Sequence, residues 1–119
     1  MKIIKYKQTW DYHIDYRFTY LSNDDEYIGS VVLQETDSED LLLHSLYVNE
    51  KYRNSLIGSE LLKIIINFAK DINCNLILKV HKLNDIAIKL YEKHNFIKYD
   101  TENQWLWLKL VINTNKEND

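Results

Sequence analysis

Apolar residues come in short runs as far as Val48 and at steps of three and four after Gly58, which predicts strands first and helices later. Met1 to Lys7, ending at Gln8, and Arg17 to Leu21 read as short strands, the second running into the turn Ser22-Asn23-Asp24-Asp25. Tyr27 to Thr36 and Leu41 to Val48 read as a second pair across Asp37-Ser38-Glu39-Asp40, and the latter is apolar enough to lie centrally in a sheet. From Gly58 to Asp71 the positions Leu61, Leu62, Ile65, Phe68, Ala69 and Ile72 recur with helical spacing. Asn75 to Val80 follows as a buried strand reached through that crossover helix, so it is expected parallel to Leu41 to Val48 with a right-handed connection. Asn84 to His94 reads as a second helix capped by Asn84, with Ile86, Leu90 and His94 on one face and Ala87 and Tyr91 on another. Asn95 suits the left-handed residue that closes a helix, and Phe96 to Tyr99 and Trp105 to Val111 form a closing strand pair. Residues 1–112 make one domain, and the polar stretch 113–119 reads as a disordered tail.

A chain of 119 residues, 45% hydrophobic and with 3 Trp, 9 Tyr and 3 Phe, can bury a real core. A formal net charge of −3, and Lys and Arg totalling 15 of which only Arg17 and Arg53 are arginine, argue against a nucleic-acid binder held by phosphate contacts. The lone Cys74 excludes a disulfide framework and a cysteine-based zinc site, and no metal is expected. MKIIKYKQTW lacks the apolar run of a secretory signal, and no apolar run can span a bilayer, so a cytoplasmic protein is the expectation.

The most informative stretch is Leu42 to Ser59. An apolar strand there runs into a loop ending Arg53-Asn54-Ser55-Leu56-Ile57-Gly58-Ser59, directly before the first helix. Helix N-termini concentrate unpaired N–H donors and the positive end of the dipole, so strand, small-polar loop and helix can cradle a pyrophosphate. Arg53 supports an anion loop; its bland alternative is a surface ion pair.

Two motifs taken together, Tyr52-Arg53 through Ile57-Gly58-Ser59 and Asn84-Asp85-x-Ala87-x-x-Leu90-Tyr91-Glu92-Lys93, resemble the GNAT superfamily of acetyl-CoA-dependent N-acetyltransferases over roughly residues 27–110. The resemblance implies an α/β (α+β) fold with a mixed sheet of six to seven strands, antiparallel N-terminal strands and a βαβ cofactor unit. It implies that Leu46, Tyr47 and Val48 lend backbone groups to the pantetheine arm. Arg53, Asn54, Ser55, Leu56, Ile57, Gly58 and Ser59 would hold the pyrophosphate, and Asn84, Ala87, Tyr91 and Lys93 would complete the acetyl-CoA site.

The chemistry needs a base, because an amine with a pKa around 10 is mostly protonated at neutral pH, and a proton donor for the departing thiolate. Tyr91 is the candidate acid; the alternative is a tyrosine that merely packs in the core. The glutamate that many relatives carry on the central strand or its parallel neighbour has no counterpart near Leu42 or Lys79. His44 is the candidate base, assigned by period two to the strand face of Leu46 and Val48, with His81 the second choice and relayed water the third. Leu43-His44-Ser45-Leu46-Tyr47-Val48 is similar to the serotonin N-acetyltransferase type at this point. Leu46-Tyr47-Val48, Cys74, Leu90-Tyr91 and Trp105 also look like the diamine acetyltransferases, but His44 and Ser45 stand where that group has acidic residues. Asp11, Asp15, Asp24, Asp25 and Glu26 could restore a negative field, though acidic loops are usually solvated surface.

The family usually has Gly where this chain has Leu56, so the loop must widen or the side chain point away. Many relatives place two helices between the first two strands, yet only Gln8 to Tyr16 is available, enough for one helical turn or a continued strand. An open acceptor cleft is expected, with a possible homodimer through Trp105 to Val111, whose Trp105 and Trp107 share a face. The expected activity is acetyl transfer from acetyl-CoA to an amine acceptor by direct attack in a ternary complex, with no nucleic-acid or membrane partner. The competing expectation is a catalytically weak acyl-CoA-binding or protein-interaction module.

Overall fold

Seven strands build one mixed sheet in the computed structural model, which describes residues 1–53 and 56–113. They are β1 (Lys2–Thr9), β2 (Ile14–Leu21), β3 (Tyr27–Glu35), β4 (Asp40–Val48), β5 (Asn75–His81), β6 (Ile97–Glu102) and β7 (Trp105–Leu110), in the order β1-β2-β3-β4-β5-β7-β6. Helices α1 (Ile57–Asp71) and α2 (Asp85–Lys93) follow β4 and β5, and a single 3-10 turn spans Glu50–Tyr52. Positions 114–119 of the expected tail, and Asn54 and Ser55 of the expected anion loop, lie outside the described residues.

The expected elements appear with shifted ends. The largest shift is at the N-terminus: β2 begins at Ile14 rather than Arg17, and of the two conformations open to Gln8 to Tyr16, a helical turn or a continued strand, the stretch takes the second and prolongs both strands. They meet in a tight turn closed by Trp10 N–H donating to the His13 carbonyl at 2.8 Å. With no helices inserted there, α1 and α2 cover one face of the sheet together, joined by the 2.7 Å contact of Ser59 Oγ with His94 Nε2. Phe18, Val31, Leu33, Leu41, Leu43, Leu76, Leu78 and Leu108 bury against Leu61, Leu62, Ile65 and Ala69 of α1. Phe68 packs its ring on Tyr16 and Phe18. On α2 the buried side is led by Tyr91, flanked by Ala87, Ile88 and Leu90, whereas Ile86 of the expected stripe is 87% exposed. Asn95 closes α2 at φ 72, in the left-handed region as read from the sequence.

β4 and β5 are parallel, as expected, but only over Asp40↔Asn75, Leu41↔Leu76 and Leu42↔Ile77. Buried Asn75 fastens this end: its Nδ2 donates to Asp40 Oδ1 at 3.1 Å, and its Oδ1 accepts from the Ile112 and Asn113 amides at 2.7 and 2.8 Å. Beyond Leu42 the strands part, while β5 stays paired with β7 to His81↔Trp105. The expected dimer strand β7 is thus enclosed, hydrogen-bonded to β5 on one edge and β6 on the other. Backbone pairing with a second copy would fall to the outer strands, β1 or β6.

Candidate active site

The parting of β4 and β5 opens a cleft of about 600 Å³ through the sheet. Its walls are Leu42 to Leu46 on β4, Leu78 to His81 on β5, Asn84, Ala87, Leu90 and Tyr91 from the second helix, and Trp105 and Trp107 from β7. Because the β4–β5 ladder ends at Leu42, the β4 backbone along this cleft has no strand partner on that side. Such an edge can hydrogen-bond an extended amide-bearing arm.

β4 is bulged at the centre of the cleft. Val32 pairs with His44 and Ser30 with Tyr47, so two steps of β3 oppose three of β4, and Ser45 takes φ 56. A bulge shifts the alternation by one residue. Leu41 and Leu43 face the helices before it, and Leu46 and Val48 after it. His44 shares the row of Val32 and Arg17 on the opposite, uncovered face. The expectation that His44 shares a face with Leu46 and Val48 is therefore corrected, and the cause is the bulge.

On that face His44 Nδ1 lies 2.8 Å from Ser45 Oγ. With the Nδ1 proton given to the serine oxygen, Nε2 keeps a free lone pair. Burial pushes His44 below the ordinary histidine value; the charge of Asp15 pulls it up, and Arg17 and His13 add to the lowering. Asp15, expected either to add to a negative field or to be solvated surface, is a buried β2 residue, 3% exposed. Trp10 Nε1 donates to its Oδ2 at 2.9 Å, Arg17 lies 3.6 Å from the same oxygen, and His13 Nε2 lies 3.4 Å from Oδ1. The alternation Ile14-Asp15-Tyr16-Arg17-Phe18 was the signal for it, since it sets Asp15 and Arg17 on one strand face.

Tyr91 enters from the helix side. Its ring packs edge-on to Phe96 at 5.6 Å, and burial pushes its phenol up to about 12. Among the described residues no side chain hydrogen-bonds its hydroxyl, which stays protonated and able to donate at any ordinary pH. His81, the second choice of base, accepts the Leu83 amide at Nδ1, 3.1 Å away. Its neutral form then carries the proton on Nε2 and has no lone pair to offer.

α1 begins at Ile57, one residue before the expected start at Gly58. Leu56 precedes α1 without a side-chain cap of its own, so among the described residues no side chain claims the first-turn donors, and its own side chain is 69% exposed. Ile57 is buried in the core, leaving its backbone as the part able to serve a ligand. Arg53 Nε donates to the Val48 carbonyl at 3.0 Å, and its guanidinium lies 5.4 Å from the Tyr47 ring. Among the described residues no carboxylate pairs with it. Tyr47 also stacks on Tyr27 at 6.1 Å. A Cβ at Gly58 would lie 3.5 Å from Leu90 and 4.0 Å from Val48, ordinary contact, so the protein's own packing does not demand glycine there.

Asn84 caps α2, accepting the Ala87 amide at 3.2 Å, and it and Ala87 line the cleft. Lys93 does not; it lines a separate depression of about 560 Å³ with Lys63, Lys70 and His94. Among the described residues no group of three or more His, Cys, Asp or Glu is placed to hold a metal ion, and no helix is long and apolar enough to cross a membrane.

The model of the acetyltransferase (GNAT) family matches residues 3–96. None of the curated proteins matches the chain. Among solved structures, the ribosomal-protein-S18-alanine N-acetyltransferase of Escherichia coli is 21% identical with TM-score 0.73, covering 93% of this chain and 76% of its own. A GNAT family acetyltransferase from Elizabethkingia anophelis with acetyl-CoA bound is 21% identical with TM-score 0.72, covering 92% and 97%. The PaiA N-acetyltransferase of Thermoplasma acidophilum, in complex with coenzyme A, is 23% identical with TM-score 0.71, covering 78% of this chain, which spans only 58% of that protein. At these identities the likeness is one of fold.

Proposed function

Since the chain belongs to the GNAT acetyltransferase family, we propose that it transfers the acetyl group of acetyl-CoA to the nitrogen of an amine by direct attack in a ternary complex. One observation carries the reading: the cleft between β4 and β5 is lined by both His44, whose Nδ1 meets Ser45 Oγ, and Tyr91, whose hydroxyl has no side-chain partner among the described residues. The pantetheine arm lies along the unpaired β4 edge, and its pyrophosphate meets Arg53 and the first turn of α1. His44 takes the proton of the amine as the nitrogen attacks the thioester carbon. As the carbon–sulfur bond breaks, Tyr91 gives its proton to the departing thiolate. The thioester needs no metal for this step.

The test is calorimetric titration of acetyl-CoA and CoA into the wild type and into Arg53→Ala with Gly58→Trp, followed by acetyl transfer to an amine panel with His44→Ala and Tyr91→Phe. Micromolar binding lost in the double variant supports the site, and no binding to folded wild type overturns it. A second reading, an acyl-CoA-binding module without turnover, draws on the absence of any carboxylate among the cleft-lining residues. Tight CoA binding with no transfer to any amine favours it.

A further inference from the structure

We propose that the acceptor is an aromatic amino acid, its carboxylate held by Lys79 and its ring by Trp105. This rests on the acetyltransferase reading above and names the substrate class of the same cleft. The ionisable side chains lining the cleft are His44, Lys79, His81 and Tyr91, with no Asp or Glu among them. A polyamine or a basic peptide would meet no opposite charge there, and Lys79 would repel it. The acid nearest His44 on this face, Asp15, is buried and engaged by Trp10 and does not line the cleft.

Lys79 shares the uncovered face with His44, since its β5 neighbours Leu78 and Val80 bury in the helix-side core. Its ammonium lies 5.4 Å from the ring centre of Trp105 and 5.6 Å from that of Trp107. Its carboxylate partner is Glu102 at 3.8 Å, a long pair whose own side chain is 57% exposed. The two indoles thus hold the cation in position while leaving its N–H donors open to a stronger, charge-assisted acceptor. Trp105 is 39% exposed and meets His81 edge-on at 5.2 Å, so part of the indole remains open beside the cation. Across the cleft stands His44. An α-amino acid bears amine and carboxylate on one carbon, so a substrate bracketed by a cation on β5 and a base on β4 fits this pair of walls.

The experiment compares L-phenylalanine, its decarboxylated analogue phenethylamine, and spermidine as acceptors, following thiol release in wild type, Lys79→Met and Lys79→Arg, with thermal melts to confirm folding. Loss of one charge-assisted contact predicts a preference for L-phenylalanine over phenethylamine of about tenfold or more in kcat/KM in the wild type. That ratio collapses toward one in Lys79→Met and persists in Lys79→Arg. A wild-type ratio near or below one, a ratio unmoved by Lys79→Met, or a preference for spermidine overturns the proposal while leaving acetyl transfer intact. Failure to acetylate L-phenylalanine overturns it as well. Calorimetry of acetyl-CoA on the same samples shows whether the acetyltransferase reading falls with it.

Discussion

His44 Nδ1 and Ser45 Oγ lie 2.8 Å apart inside a bulge where Ser45 holds a left-handed φ of 56. A non-glycine residue there is strained by roughly 1 kcal/mol or more, and the strain accompanies the turning of His44 toward the uncovered face. Two substitutions separate backbone from hydroxyl. Ser45→Gly relieves the strain and should raise stability by about 0.5–1 kcal/mol; Ser45→Ala should not. Both lose the oxygen that fixes the imidazole, so both should lower kcat by about tenfold with acetyl-CoA affinity unchanged. Thermal melts and steady-state kinetics read the two effects, and full activity in both variants would remove Ser45 from the mechanism.

The acid limb of the rate profile should sit unusually low. A base must be unprotonated, and burial holds His44 below its ordinary 6.5, so kcat/KM falls only as pH drops through that depressed value. Asp15→Asn removes the charge that pulls His44 up, and should move the limb to still lower pH. Folding follows the same sign. The unfolded histidine takes up a proton first, so its contribution to stability is full above 6.5 and is lost as pH falls through the folded value. An NMR titration of the His44 ring in both proteins checks the direction without relying on activity.

Tyr91→Phe should cost about 10- to 100-fold in kcat by removing the proton donor, with little change in acetyl-CoA affinity. It should also blunt alkaline unfolding. The phenol stands near 12 in the fold against 10.0 unfolded, so its stabilisation is complete below 10.0 and is lost as pH rises through 12. That difference of about two units corresponds to roughly 2–3 kcal/mol. A difference between wild-type and variant melts that stays constant from neutral pH into the alkaline range would show that ionisation of the tyrosine contributes nothing.

Gly29→Ala should destabilise the sheet beside the bulge. A Cβ there would stand 2.7 Å from the Tyr47 carbonyl oxygen and 3.2 Å from Leu61. The backbone oxygen cannot yield as a flexible side chain would, and the expected cost is about 1–3 kcal/mol. Gly58→Ala is the control: its methyl meets only ordinary contacts, and the melt should be unchanged or higher. Equal melts for the two variants would show that the approach of β3 to β4 is not close in solution.

Much of the architecture was readable because its cause is local. Periodic apolar residues announced α1, an asparagine announced the end of α2, and Asn84 announced its start. The bulge was not readable: Ser45 is neither Gly nor Asn, and its conformation serves the register of β3 against β4. Asp15 looked like surface because an acidic residue next to a turn usually is, and only β2 continuing back to Ile14 brings it under Trp10. The strand expected to pair copies was chosen for Trp105 and Trp107 on one face, and only the tertiary structure shows that β6 lies outside it.

The sequence by itself determined the family and the order of elements, and it singled out Tyr91 and His44 for test, because periodicity, caps and short motifs depend on near neighbours. The tertiary structure decided which way His44 faces, how far β4 and β5 stay paired, and that Lys79 with two indoles makes the opposite wall. Those depend on the register between strands far apart in the chain, where a shift of one residue exchanges the two faces of a sheet.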